Sequence, residues 1–201
     1  NEISIAGVRK NQSKTLKTEA ELKTGAMVTD NLIVTTRNYF KKKYTDKGFL
    51  RAKVTVDTKP DSSDINVVNM KIFIDKGSKV KVKNINFQGN EALSDKKLRS
   101  AMGNTKRKFL GRFWKGSKYI DDKFKEDLES ILDTYSRLGY RDARILADTL
   151  SWNDDNTINL NIKLEEGRQY IFGDIIYVGN KSYTDQELNT ILKIQKGDVY
   201  N

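Results

Sequence analysis

The sequence repeats itself, and this limits the possible folds more than any other property of the chain. Gly77–Asn90 (GSKVKVKNINFQGN) and Gly167–Asn180 (GRQYIFGDIIYVGN) each carry a glycine, an apolar-x-aromatic pair and a closing Gly-Asn, at identical intervals and 90 residues apart. The pairs are Ile85 with Phe87 and Ile175 with Tyr177. A worn copy opens the chain, where Ile3, Ile5 and Gly7 match Ile85, Phe87 and Gly89 at an offset of 82. Between these blocks lies a second repeated element. Tyr44, Gly48, Phe49, Ala52 and Val54 line up with Tyr135, Gly139, Tyr140, Ala143 and Ile145. Two separated blocks recurring in the same order describe a string of small units.

Each unit reads as strand, helix, helix, strand, strand. In the second, Ser94 is placed to cap a short helix that puts Leu98, Ala101 and Met102 on one face. A longer helix starts near Asp121, with Phe124, Leu128, Ile131, Leu132 and Tyr135 as its apolar stripe and Gly139 as its stop. Ala143, Ile145 and Ala147, then Ile158, Leu160, Ile162 and Leu164, alternate as a hairpin with one buried face across Asn153–Asn156. The first unit repeats this with Ile33, Phe40 and Tyr44 before Gly48. Its hairpin is Ala52, Val54 and Val56, then Val68, Met70, Ile72 and Ile74, across Pro60–Asp64. The third has a capping box at Thr184 and Glu187 ahead of Leu188, Ile191 and Leu192, and stops at Tyr200, the match of Tyr119, where its second helix is due. The expected natural protein continues beyond that point. The fold class is α+β: tandem βααββ modules, each a small three-stranded mixed sheet covered on one face by two antiparallel helices.

Composition narrows the chemistry. Among 201 residues there is no cysteine and no histidine, which removes thiol nucleophiles, disulfides, the usual zinc ligand sets and imidazole bases. The carboxylate pairs Asp121-Asp122, Asp154-Asp155 and Glu165-Glu166 fall at a helix start, a turn and a strand end, where solvated roles account for them. An enzyme is not expected, and neither is a cofactor or metal. A single proline argues that the units abut directly. A formal charge of +10 admits anionic partners. No apolar run is long enough to span a membrane as a helix, and from the Asn1 start without a leader pattern a mature or excised fragment is expected.

The βααββ order, the Tyr-x3-Gly-aromatic-x2-Ala block and the Gly…Ile-x-aromatic-x-Gly-Asn block together resemble POTRA domains, the polypeptide-transport-associated modules of BamA-type outer-membrane protein assembly factors. The resemblance covers the whole chain, as modules at 1–78 and 79–168 and an incomplete third at 169–201. It implies a periplasmic position in a Gram-negative-type cell envelope and anchorage in the outer membrane by a carboxy-terminal β-barrel. It also implies unfolded outer-membrane β-barrel proteins and accessory assembly lipoproteins as partners. A TamA-like factor or a two-partner secretion transporter is the alternative within the same resemblance.

In this family the hairpin's first strand is a sheet edge, and an edge offers unpaired N–H and C=O groups to an extended client. The candidate client-binding residues are therefore Arg51, Ala52, Lys53, Val54, Thr55 and Val56 in the first module. In the second they are Arg141, Asp142, Ala143, Arg144, Ile145 and Leu146. The competing reading is a solvated edge guarded by Arg51, Lys53, Arg141 and Arg144.

One segment breaks the repeat. Leu16 to Gly25 and Leu188 to Gly197 each span nine positions, whereas Leu98 to Gly116 spans eighteen. The excess lies within Asn104–Lys115 and holds Lys106, Arg107, Lys108, Phe109, Arg112, Phe113, Trp114 and Lys115. Aromatics folded back on the module, a protein-docking patch and contact with anionic lipid headgroups are all open readings. A basic RNA-binding module is a weaker rival. The chain has neither a Gly-x-x-Gly loop between helices nor an exposed aromatic pair on a strand, so no nucleic acid is expected.

Overall fold

The computed structural model describes residues 2–61, 67–107 and 118–200. These form two units, one of residues 1–81 with 118–122 and the other of residues 82–117 with 123–201.

In the first unit, β1 (Ile3–Ala6) is followed by α1 (Lys10–Glu19), α2 (Asp30–Thr45), β2 (Lys53–Pro60) and β3 (Val68–Asp75). The strand order is β1-β3-β2, with β1 parallel and β2 antiparallel to β3. Register shows why one face is apolar. Ile3 and Ile5 stand beside Met70 and Ile72, while Val56 and Val54 stand beside Ile72 and Ile74. These residues pack with Leu16, Phe40, Tyr44 and Ala52 in one buried cluster. Phe40 and Ile72 are wholly buried, each contributing about 1.5–3 kcal/mol of transfer free energy. Thr29 caps α2 by accepting from Leu32 N.

The second unit repeats the plan with β4 (Lys81–Gln88), α3 (Asp95–Ala101), α4 (Asp121–Ser136), β5 (Arg144–Trp152) and β6 (Thr157–Glu165). Its strand order is β4-β6-β5, with β5 antiparallel to β6. Asn84 donates to Asn159 and Asn86 to Asn161 (3.1 and 2.8 Å), so β4 and β6 run in parallel register. As the pattern predicts, Ser94 caps α3, accepting from Lys97 N. Val82, Ile85, Leu98, Met102, Phe124, Ile131, Tyr135 and the four inward residues of β6 are buried.

The repeated glycines have geometric causes. Gly7 and Gly89 close β1 and β4 with φ of +84° and +89°, and a Cβ there would meet the carbonyl oxygens of Ile74 and Leu164 at 2.0 and 2.1 Å. Gly48 and Gly139 stop α2 and α4 with φ of +86° and +85°. Gly48 also receives a later segment, since Val80 N donates to its carbonyl and Tyr119 N to that of Val80. In the second unit Tyr170 N donates to Gly139 O, and Tyr200 N to Tyr170 O. The matching of Tyr119 with Tyr200 is therefore a matching of these hydrogen bonds.

Three expectations are amended. The apolar stripe of α4 contains a fully buried Asp127, whose carboxylate accepts from the backbone of Asn104 (2.8 Å) and Thr105 (2.5 Å). Ala147, expected to face inward, is exposed, because a register shift between Ile145 and Ala147 inserts one residue into β5. Residues 172–178, the counterpart of β1 and β4, form no strand, although α5 (Asp185–Leu192) does form with its capping box. Strands β1 and β4 each pair with the second strand of a hairpin, and residues 169–200 include no hairpin.

Candidate functional site

Strands β2 and β5 lie at sheet edges, each bonded on one side only. The opposite edge in each sheet is β1 or β4. With four residues against eight, β1 offers much less main chain than β2. In the first unit the hairpin's first strand is thus the longer row of main-chain groups open to an incoming extended segment, whereas in the second β4 and β5 are nearly equal, at eight and nine residues.

The two edges differ. On β2, Val54 and Val56 point into the core, while Lys53 and Thr55 are exposed on the other face. Arg51 and Ala52 precede the strand, Arg51 on an exposed turn and Ala52 buried. The β2 edge is therefore flanked by charge and small polar groups.

On β5, Arg144 pairs with Glu165 through Nε and Nη2 (3.0 and 2.8 Å) at the strand's first rung. Ile145 faces Leu164, and Leu146 is the inserted residue with nothing opposite. Beyond this bulge the register is shifted. Asp148, Leu150 and Trp152 stand opposite the buried Ile162, Leu160 and Ile158. Leu146 and Trp152 are 47% and 43% exposed. A bulge bends a strand and re-aims its side chains. Here it leaves a nine-residue edge bearing two large, partly exposed apolar side chains.

Arg141 and Asp142 are not on that edge. Both lie in the turn before β5. The Arg141 guanidinium stacks over the Tyr200 ring at 4.7 Å, and Asp142 accepts from the Tyr170 hydroxyl at 2.6 Å. That carboxylate raises the Tyr170 pKa above its ordinary value. These two residues, with Gly139, hold the segment that follows β6. Ala143 is half-buried just ahead of the strand. The structure thus brings Arg144, Ile145 and Leu146 together on β5 and adds Leu150 and Trp152. The sequence carried a signal for these two: apolar residues switch from odd positions (143, 145) to even ones (150, 152), the trace of an inserted residue.

Glu166, ahead of the repeated glycine, also acquires a role. Its carboxylate accepts from Ala92 N and from the Tyr135 hydroxyl (2.7 Å), tying the end of β6 to α4 and to the turn after β4. Burial, then this hydrogen bond, hold the Tyr135 pKa far above its ordinary value.

Of the basic-aromatic insertion, Lys106 and Arg107 are described. Lys108, Phe109, Arg112, Phe113, Trp114 and Lys115 lie outside the described residues. Among the described residues no cluster of acidic side chains could hold a metal ion.

The POTRA family model, described as Surface antigen variable number repeat, matches residues 1–77, 80–167 and 170–201. The chain is 30% identical over 162 residues to the outer membrane protein assembly factor BamA of Neisseria meningitidis serogroup B, covering 80% of this chain and 20% of that protein. It is 24% identical over 173 residues to BamA of Neorickettsia risticii, covering 86% of this chain and 22% of that protein. The chain therefore spans about a fifth of the length of these relatives. Among solved structures, Haemophilus influenzae BamA POTRA3-5 aligns over 100% of this chain and 78% of that one, with 17% identity and a TM-score of 0.46. The N-terminal domain of Omp85 from Thermosynechococcus elongatus aligns over the same shares, with 14% identity and a TM-score of 0.49. Matched in three successive blocks along nearly its whole length, the chain belongs to the POTRA family, as consecutive modules like those of BamA-type outer-membrane assembly factors.

Proposed function

We propose that this chain is the periplasmic part of an outer-membrane β-barrel assembly factor, with modules at 1–78 and 79–168 and the start of a third at 169–201. It binds unfolded outer-membrane proteins by adding their extended segments to open sheet edges, and offers docking surface to accessory lipoproteins. The function is binding, with no chemical step. One observation carries the reading: β5 is an unpaired edge whose bulge leaves Leu146 and Trp152 partly exposed beside open main-chain groups. Main-chain hydrogen bonds supply affinity for many sequences, and the apolar side chains add a preference for the alternating pattern of barrel strands. The β2 edge, flanked by Lys53 and Thr55, is the weaker of the two.

Amide NMR tests this during titration with an extended peptide from an outer-membrane β-strand. Saturable shifts along residues 144–152, smaller shifts along 53–60, and roughly tenfold weaker binding after Leu146→Asp with Trp152→Asp are the expected result. An intact fold with no shift on either strand would refute strand addition by these modules.

A further inference from the structure

A concave site of about 600 Å³ lies in the second unit between β4, α3 and the residues after α3. Its lining includes Lys96, Arg99, Lys106 and Arg107, with the hydroxyl residues Ser100 and Thr105. Four cationic side chains thus surround one cavity, and no carboxylate is among its described lining residues.

Of these cations only Arg99 is ion-paired among the described residues, with Asp95. Lys96 and Arg107 make no hydrogen bond or ion pair among the described residues. Arg99 contacts Asp95 (3.0 Å) and the Ile85 carbonyl (3.1 Å) through Nη1 alone, leaving Nη2 and Nε. Those contacts orient the guanidinium. Lys106 donates to the Met102 carbonyl and keeps two further N–H groups. Thr105 is 2% exposed. Its hydroxyl makes no bond to another described group, and Thr105 lines the cavity. Asp127 fixes this residue by accepting its backbone N–H.

We propose that this cavity binds a phosphate group, carried either by a small soluble phosphate ester or by the headgroup of an anionic phospholipid. A fixed guanidinium fork, mobile ammonium groups and hydroxyl donors match a tetrahedral, multiply charged acceptor. A single carboxylate of an acidic peptide would neutralise one of the three charges that Asp95 leaves, and the volume suits a headgroup better than an extended strand. The site is separate from the β5 edge and does not rest on strand addition.

The test is amide NMR and vesicle co-sedimentation of the whole chain. The probes are inorganic phosphate, short-chain phosphatidylglycerol below its micelle concentration, and phosphatidylcholine vesicles with and without phosphatidylglycerol. The expected result is saturable shifts at residues 96–100 and 105–107 that sodium chloride of equal ionic strength does not produce. Lys96→Ala with Arg107→Ala should weaken binding at least about tenfold. Lys14→Ala with Lys41→Ala removes the same charge elsewhere and should leave binding unchanged. Shifts with free phosphate and no vesicle binding support a soluble ester, and vesicle binding lost in the cavity variant supports the headgroup. Equal losses in both double variants, no saturable shift at the cavity, or occupancy by a glutamate-rich peptide but not by phosphate would each overturn the proposal. Unchanged thermal melts establish that the variants are folded.

Discussion

Asp127→Asn tests how the second module is held together. The carboxylate is fully buried and accepts three N–H bonds: Asn104 N and Nδ2 at Oδ1, and Thr105 N at Oδ2. An asparagine has nearly the same shape. Its oxygen can keep the Asn104 bonds, but its NH2 then confronts the Thr105 N–H, and Thr105 is only 2% exposed. One orphaned buried donor costs about 1–3 kcal/mol, and exchanging a charged for a neutral acceptor on the remaining bonds adds about 1 kcal/mol. We expect a loss of about 3 kcal/mol. With a urea m-value of roughly 1.5 kcal/mol per molar, the unfolding midpoint should fall by about 2 M. Tryptophan emission is the assay, because both tryptophans, Trp114 and Trp152, lie within the second module's sequence. Asp133→Asn, an exposed acid on the same helix, should change stability by less than about 0.5 kcal/mol. If Asp127→Asn costs no more than that control, the carboxylate does not anchor the segment after α3, and the reasoning fails.

Two further perturbations probe the repeated contacts. Tyr135 has its pKa raised from 10.0 by burial and by Glu166, so the neutral phenol is favoured in the folded state. Its contribution is whole below the unfolded pKa and is lost as pH rises above it, by up to about 1.4 kcal/mol per pH unit. Urea titrations from pH 9 to roughly pH 11 should show a shallower decline in Tyr135→Phe than in the parent; equal slopes would contradict the assignment. Gly89→Ala and Gly179→Ala share a positive φ, but only at Gly89 would a Cβ meet a carbonyl oxygen, at 2.1 Å against nothing within 4 Å. Thermal melts should therefore show Gly89→Ala costing at least about 2 kcal/mol more, since φ strain alone is worth about 1–2 kcal/mol. Similar losses would sink the close-approach argument.

The module, its element order and most of its core were legible in the sequence because they depend on local periods. Repeats at fixed offsets, alternation in β3 and β6, the stripe of α4, the caps at Ser94 and Thr184 and the glycine stops are each specified by residues near in the chain. The facing of β2 was legible for the same reason, since Val54 and Val56 alternate without interruption, while Arg51 and Ala52 fall just ahead of the strand.

What the tertiary structure decided involves partners far apart in sequence. Only the sheet places Gly89 against Leu164 O, and only packing of the segment after α3 on α4 turns Asp127 from a break in a stripe into a buried anchor. The bulge at Leu146 moves Ala147 outward and gives Leu150 and Trp152 to the core-side register. Arg141 and Asp142, expected among the client-binding residues of the edge, are taken up by Tyr200 and Tyr170. The sequence by itself determined the module and its repetition, while the edge position of the hairpin's first strand came with the family resemblance. Which side chains an edge presents, and which cations gather around one cavity, depended on register and on long-range contacts. The physical reason is that one inserted residue reverses the facing of every residue after it, and no local period records where the partner strand absorbs the shift.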